Sequence, residues 1–278
     1  MIISIASGKG GTGKTSVAVN MALSFENVQL LDCDVEEPNT HLLLQPKIYE
    51  TYSVYTTVPA IVEERCNYCR KCAEFCAYNA IFVASKTIIV FPELCHSCGG
   101  CSLICSQKAI EEGRKLIGTI KKGRSNTLEL VYGELKVGEP MSVPLIREVK
   151  KEKKNYELVL IDAPPGTACP LVASVYQSDY CILVTEPTPF GLHDLKITVQ
   201  VLRDLEVPLG VIVNRAGIGN KEIYDYCKEE KIPVLLQIPF STQIADLYSR
   251  GIPFVKKMPE WKEKFRDVLT QIIGLVEC

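Results

Sequence analysis

The stretch Ile2-Ile3-Ser4-Ile5-Ala6-Ser7-Gly8-Lys9-Gly10-Gly11-Thr12-Gly13-Lys14-Thr15-Ser16 decides the fold. Its first five residues are an apolar run of strand length. The segment from Lys14 onward has the composition of a helix, and between the two lies a loop fitting G-x-x-x-x-G-K-[ST]. That pattern, after a strand and opening a helix, is a phosphate-binding loop. Its glycines let backbone N–H groups curl around an anion, and the helix N-terminus adds its positive dipole end. Lys14 is expected to neutralise β- and γ-phosphate charge and the Thr15 hydroxyl to bind Mg²⁺. Gly8, Gly10, Gly11, Thr12, Gly13, Lys14, Thr15 and Ser16 form the expected ATP/ADP-binding set.

Working outward, further apolar runs occur at Val28–Asp32, Leu158–Asp162, Tyr180–Thr185, Leu209–Asn214 and Pro233–Ile238. Helical patterns cover Lys14–Phe25, Ser142–Lys153, Leu192–Leu205, Lys221–Glu230 and Glu260–Val276. Strands apolar on both faces imply a parallel sheet covered by helices, so the expected fold is α/β, a doubly wound, mostly parallel sheet. Two runs end in carboxylates: Asp32, followed by Cys33-Asp34, and Asp162, followed by Ala163-Pro164-Pro165-Gly166. An Asp at a strand end can be a helix cap. Beside a phosphate-binding loop it is also placed to hold the water shell of Mg²⁺. Asn214 ends another run; its amide can present both donor and acceptor to a base edge, although Asn is also a common turn former.

The βα rhythm breaks between residues 57 and 118. Eight of thirteen cysteines fall there, with Cys66, Cys69, Cys72 and Cys76 spaced C-x₂-C-x₂-C-x₃-C, and Cys95, Cys98, Cys101 and Cys105 repeating that spacing. In such a pair of runs, three thiolates wrap one iron–sulfur cubane and the fourth crosses to the other cluster. The expected ligand sets are therefore Cys66, Cys69, Cys72, Cys105 and Cys95, Cys98, Cys101, Cys76, giving two [4Fe–4S] clusters. Four-thiolate zinc sites compete as a reading, but doubled triple spacing is not their pattern. Ala77 and Ser106 stand where a proline usually follows the fourth cysteine. The expected division is a body of residues 1–56 and 119–278 with an inserted α+β domain at 57–118, after which 116–139 forms a hairpin returning the chain to the sheet. Cys33, Cys169, Cys181, Cys227 and Cys278 lie outside the two runs, and His96 reads as a surface neighbour of Cys95 rather than a ligand.

These motifs together resemble the MinD/ParA/Mrp superfamily of P-loop ATPases, relatives of the nitrogenase iron protein, with a bacterial two-cluster ferredoxin-like domain inserted. Lys9 carries much of the likeness: a lysine at that place marks the deviant Walker A loop of this group, where it reaches across a face-to-face dimer to the partner's nucleotide. The resemblance implies catalytic roles for Lys9, Lys14, Asp34 and Asp162, with Asp34 (or Asp32) positioning the attacking water and Asp162 and Thr15 serving Mg²⁺. It implies that the Gly166 backbone approaches the γ-phosphate and that Asn214 reads adenine. It also implies a nucleotide-dependent dimer, homomeric or with a paralogue.

Two outputs fit that resemblance: ATP-gated electron transfer to a protein redox partner, or assembly and carriage of a cluster to an apo acceptor. Cys169, just past the Asp162–Gly166 segment, is the candidate for a cluster shared between subunits; a small packing residue is the plainer reading. A spatial organiser of the MinD/ParA kind is the third possibility. The net charge of −2 supplies no basic field for nucleic acid, and the amphipathic segment 265–276 reads as sheet packing rather than a membrane anchor. The composition, 47% hydrophobic and 23% charged, is that of a globular chain. No run approaches the roughly 18 apolar residues of a membrane span. The N-terminal segment lacks a basic n-region, so a cytoplasmic location with reduced, metal-ligating cysteines is expected.

Overall fold

The computed structural model describes residues 1–276; Cys278 lies outside the described residues. In chain order the elements are β1 (Ile2–Ala6), α1 (Lys14–Ala22), β2 (Val28–Asp32), α2 (Thr40–Leu44), β3 (Lys47–Ile61), α3 (Lys71–Phe75), β4 (Ile81–Ala84), β5 (Thr87–Val90), α4 (Gly100–Ile104), β6 (Ile110–Ser125) and β7 (Leu128–Leu135). They continue as α5 (Val143–Lys151), β8 (Leu158–Asp162), α6 (Cys169–Val175), β9 (Tyr180–Thr185), α7 (Pro189–Asp204), β10 (Leu209–Ala216), α8 (Glu222–Glu229), β11 (Val234–Pro239), α9 (Thr242–Ser249) and α10 (Glu260–Val276).

One sheet of nine strands runs β11-β10-β9-β1-β8-β2-β7-β6-β3. The ladders from β11 through β7 are parallel; β6 and β3 are antiparallel to their neighbours. This is the mostly parallel α/β sheet that the apolar runs imply. Side chains alternate along β1: Ile3 and Ile5 join a core with Met21 of α1 and Phe265 of α10, while Ala6 joins the opposite core under α6, α7 and α8. A third cluster packs Leu145, Ile146 and Val149 of α5 against β2, β7 and β8. The amphipathic helix α10 thus lies on the sheet through Trp261, Phe265, Val268 and Ile272.

The parallel register places the carboxylates. Asp32 stands opposite Asp162 across the β2–β8 ladder, and β1, carrying the phosphate-binding loop, lies on the other side of β8. Three functional segments therefore emerge from adjacent strands at one sheet edge, the place where doubly wound folds bind ligands.

The cysteine segment rides on a ribbon. β3 and β6 pair antiparallel from Lys47 opposite Arg124 to Ile61 opposite Ile110, so residues 56/57 and 118/119 fall inside strands of the main sheet. The two cysteine runs sit in residues 62–109, beyond the far end of that ribbon. A hairpin with Asn126 in the left-handed region joins β6 to β7 and returns the chain to the parallel ladder. At the ribbon's base Lys115 Nζ forms an ion pair with Glu139 Oε2 at 2.7 Å and donates to the Pro92 carbonyl at 3.1 Å, tying the second cysteine run to the β7–α5 loop.

Phe265 is fully buried against Phe254. Replacing it with Ala is expected to cost about 3–5 kcal/mol through lost burial and the cavity left behind. The urea midpoint should fall with an unchanged slope; a loss below about 1 kcal/mol would show that α10 does not carry core packing.

Candidate functional site

At the C-terminal edge of the sheet the phosphate-binding loop closes on Gly13, the residue before α1, with φ 89°. A Cβ there would lie 2.3 Å from Asn214 Nδ2, so only glycine fits. Asn214 donates from Nδ2 to the Thr12 carbonyl at 2.7 Å, holding the loop to the end of β10.

Lys14 is buried and points into the carboxylates. Its Nζ is 2.8 Å from Asp162 Oδ1 and 3.5 Å from Asp34 Oδ2. Burial alone would lower its pKa, but the nearby Asp162 and Asp34 outweigh that and raise it. Asp32 is fully buried and committed to the backbone: it accepts from Thr40 Oγ1 at 2.7 Å, from the Thr40 amide at 3.2 Å and from the Asp34 amide at 3.0 Å. Burial, with the charge of Asp162, pushes Asp32 up to about 7. Asp34 is pushed to about 6, chiefly by burial, and remains partly exposed toward the loop. Of the two candidates, Asp34 is thus free to meet a ligand, while Asp32 organises the β2–α2 loop.

Two buried polar atoms lack a hydrogen-bond partner among the described residues here, Asp162 Oδ2 and Thr12 Oγ1. Such orphans are costly, and a hydrated Mg²⁺ and a phosphate chain are groups whose chemistry would satisfy them. The Gly166 amide donates to the Ser7 carbonyl at 3.0 Å, so the segment after Asp162 abuts the loop.

Lys9 Nζ contacts Glu186 Oε1 of its own chain at 2.5 Å. The other oxygen of Glu186 meets Arg215 Nη1 at 2.7 Å, and Arg215 Nη2 donates to the Gly11 carbonyl at 3.3 Å. Beyond the loop a cavity of about 320 Å³ is bounded by Gly13, Ser16, Asn214, Arg215, Phe240 and Tyr248. Its size and half-exposed aromatic rings suit a nucleoside. Glu186, Arg215, Phe240 and Tyr248 belong to this site but carry no local motif; only the fold brings them to the loop.

The eight run cysteines divide between two cavities. Cys66, Cys69, Cys72 and Cys105 wall one; Cys76, Cys95, Cys98 and Cys101 wall the other. The amides of Tyr68 and Ser97 donate to Cys66 Sγ and Cys95 Sγ at 3.4 Å, and those of Ala80 and Ala109 to Cys76 Sγ and Cys105 Sγ at 3.3 Å. N–H groups aimed at sulfur stabilise thiolates and tune iron–sulfur clusters, so donor set and surroundings fit a four-iron group. Among the described residues no three His, Cys, Asp or Glu side chains converge closely enough to share a single metal ion. Cys169 is exposed at the start of α6, whereas Cys33, Cys181 and Cys227 are buried, and burial pushes their thiols up.

A phosphate-binding loop, two strand-end carboxylates and a base-sized cavity at one edge of a parallel sheet define a P-loop nucleotide-binding protein. Residues 3–254 match the model of the CbiA family, the CobQ/CobB/MinD/ParA nucleotide binding domain, and the chain belongs to that family. It is 32% identical over 264 residues to an uncharacterized protein of Methanocaldococcus jannaschii, covering 92% of each chain. It is 23% identical to a protein of the same organism named iron-sulfur cluster carrier protein, covering 99% of this chain and 84% of that one. In fold it matches the septum site-determining protein MinD of Pyrococcus horikoshii, complexed with Mg-ADP, with TM-score 0.59 and 22% identity over 99% of this chain and 96% of that one. No helix among the described residues is long and apolar enough to cross a membrane.

Lys14→Ala should weaken Mg-ATP binding about 10–100-fold by removing a charge-assisted contact, measured by calorimetry; unchanged affinity would remove Lys14 from the phosphate site. The Asp34 shift yields a second prediction. Its folded pKa, about 6, lies above the ordinary 3.8, so the folded chain holds this proton more tightly than the unfolded chain. Stability from Asp34 is therefore present at low pH and lost as pH rises through that window. Without nucleotide, the melting temperature of Asp34→Asn should gain on that of the parent chain between pH 4 and 7; a constant gap would contradict the shift.

Proposed function

We propose that the chain is a Mg-dependent ATPase that couples a nucleotide-driven dimer switch to two [4Fe–4S] clusters held in a ferredoxin-like insert. The observation that carries the reading is the division of eight cysteines into two cavities, each walled by three from one run and one from the other, on the same chain as a complete phosphate-binding loop. The clusters, when bound, supply one-electron chemistry; the rest falls to the chain's own residues.

Lys14 is positioned to leave Asp162 and Asp34 for the β- and γ-phosphates, freeing Asp162 for the Mg²⁺ water shell and Asp34 to orient the attacking water. Thr15 would complete the metal site, the Gly166 backbone would approach the γ-phosphate, and Asn214, beside Arg215 at the cavity, would read the base. Lys9, held in cis by Glu186, would exchange that carboxylate for a second subunit's nucleotide, homomeric or paralogous. On this reading residues 57–118 are the inserted domain and residues 1–56 and 119–278 the ATPase body. The short cysteine segments differ from a freestanding ferredoxin in being tied to the sheet through β3, β6 and Lys115.

Closed ligand sets that borrow a cysteine from each other's run favour resident clusters, and hence gated electron transfer to a protein partner. The relatives' names favour the second reading, carriage of a cluster to an apo acceptor. Anaerobically purified protein should contain about eight iron and eight sulfide per chain. Incubation with Mg-ATP and an apo acceptor ferredoxin decides the output: retained iron with reversible reduction supports electron transfer, and iron recovered in the acceptor supports carriage. Zinc in place of iron would dismiss both.

A further inference from the structure

The two cysteine runs repeat the same backbone. Tyr68 and Ser97, Arg70 and Gly99, and Asn79 and Lys108 occupy equivalent places and share the left-handed conformation, each pair preceding the same turn or helix. Against that sameness the side chains around the two quartets diverge systematically. The cavity of Cys66, Cys69, Cys72 and Cys105 is the narrower and is rimmed by Asn67, Arg70, Lys71 and Gln107. The cavity of Cys76, Cys95, Cys98 and Cys101 opens to about 450 Å³. There the equivalents of Arg70 and Lys71 are Gly99 and Gly100, and a Cβ on Gly100 would lie 2.2 Å from the Phe75 ring, which occupies that space. In place of the Asn67 and Gln107 amides stand His96 and Tyr78, stacked at 3.5 Å.

Around this second cavity apolar groups face water. Leu103 is 89% exposed, Phe75 50% and Tyr78 47%, and all three line it. Single exposed apolar residues are ordinary, but several around one mouth beside a redox-competent thiol set mark an interaction site. The charged residues lining the mouth are Glu111 and Glu112, of which Glu111 also pairs with Arg65. The other quartet presents Arg70 and Lys71. One end of the segment attracts a basic surface and the other repels it, which orients an approaching partner.

We propose that the apolar rim around Cys76, Cys95, Cys98 and Cys101 is the docking face for a protein electron partner whose contact face is apolar at its centre and rimmed by lysine and arginine. The proposal rests on the two-cluster, electron-transfer reading. Leu103, two residues past Cys101, is the central contact; Tyr78 and His96 form one wall. The quartet flanked by Arg70 and Lys71 is turned from the partner.

The test uses the anaerobic holoprotein with cytochrome c, a basic haem protein, as probe. Zinc-substituted cytochrome c reports binding by calorimetry without electron flow. Native cytochrome c then reports transfer by stopped flow, each encounter moving one electron from the chain, reduced with dithionite and freed of it by anaerobic gel filtration, to one ferric haem, which becomes ferrous. Leu103→Lys and Gln107→Lys change the charge equally, one at each quartet. Leu103→Lys should weaken binding and slow transfer about tenfold, Leu103→Ala less, and Gln107→Lys under twofold; Mg-ATP affinity and circular dichroism verify that each variant is folded. Equal losses from the two lysine variants, or the larger loss from Gln107→Lys, would overturn the docking face. A dimer of this chain dissolved by Leu103→Lys would overturn it too, by making the rim a self-contact. Iron analysis and EPR of the same samples separate these results from failure of the cofactor reading, in which neither cluster is present.

Discussion

A buried lysine among carboxylates is the constraint from which this structure follows. Lys14 enters a region where Asp32, Asp34 and Asp162 crowd together because β2 and β8 are neighbours in register. Burial is the chief reason Asp32 and Asp34 are pushed up, and repulsion from the neighbouring Asp162 adds to it. Lys14 offsets that repulsion, and its withdrawal toward phosphate has to be matched by another cation. On the proposed reading, Mg²⁺ arriving with ATP would meet that requirement and link nucleotide and metal binding by charge balance.

The same sheet explains how a cysteine-rich segment can belong to a nucleotide-binding body. β3 and β6 extend the main sheet past its edge, and the cysteine runs lie at the far end of that ribbon. At its base the nearly buried Glu139–Lys115 pair, with the Pro92 carbonyl, joins the second run to the loop before α5. α5 packs on α6, which begins three residues after Gly166. A displacement of the Gly166 segment thus has a packed route toward the quartets, through elements capable of small rigid shifts.

Much of this was legible in the sequence because the deciding signals are local. The bounds of β1, β2, β8, β9 and α10 coincide with their apolar patterns, since doubly buried strands and an amphipathic helix write their burial directly into residue type. β10 runs on to Ala216, past the apolar run ending at Asn214. The ribbon was not legible: β3 is largely exposed, with Val54 its one buried side chain, and pairing with β6 more than burial makes it a strand. At the site, the loop and both carboxylates carry motifs. Glu186 and Arg215 do not, and the placing of Glu186 between Lys9 and Arg215 depends on the β9–β10 register, which no nearby residue encodes. The opposite rims of the two quartets were likewise hidden, because equal cysteine spacing says nothing of the side chains around it.

The central claim is that one chain joins nucleotide chemistry at Lys14 to the state of its cysteine quartets. EPR of the dithionite-reduced, iron-loaded protein, recorded with and without Mg-ATP, tests it most directly. The account predicts a nucleotide-dependent change in the four-iron signal that Lys14→Ala abolishes while the iron content stays the same. An identical signal with and without saturating Mg-ATP in the unaltered chain would contradict it.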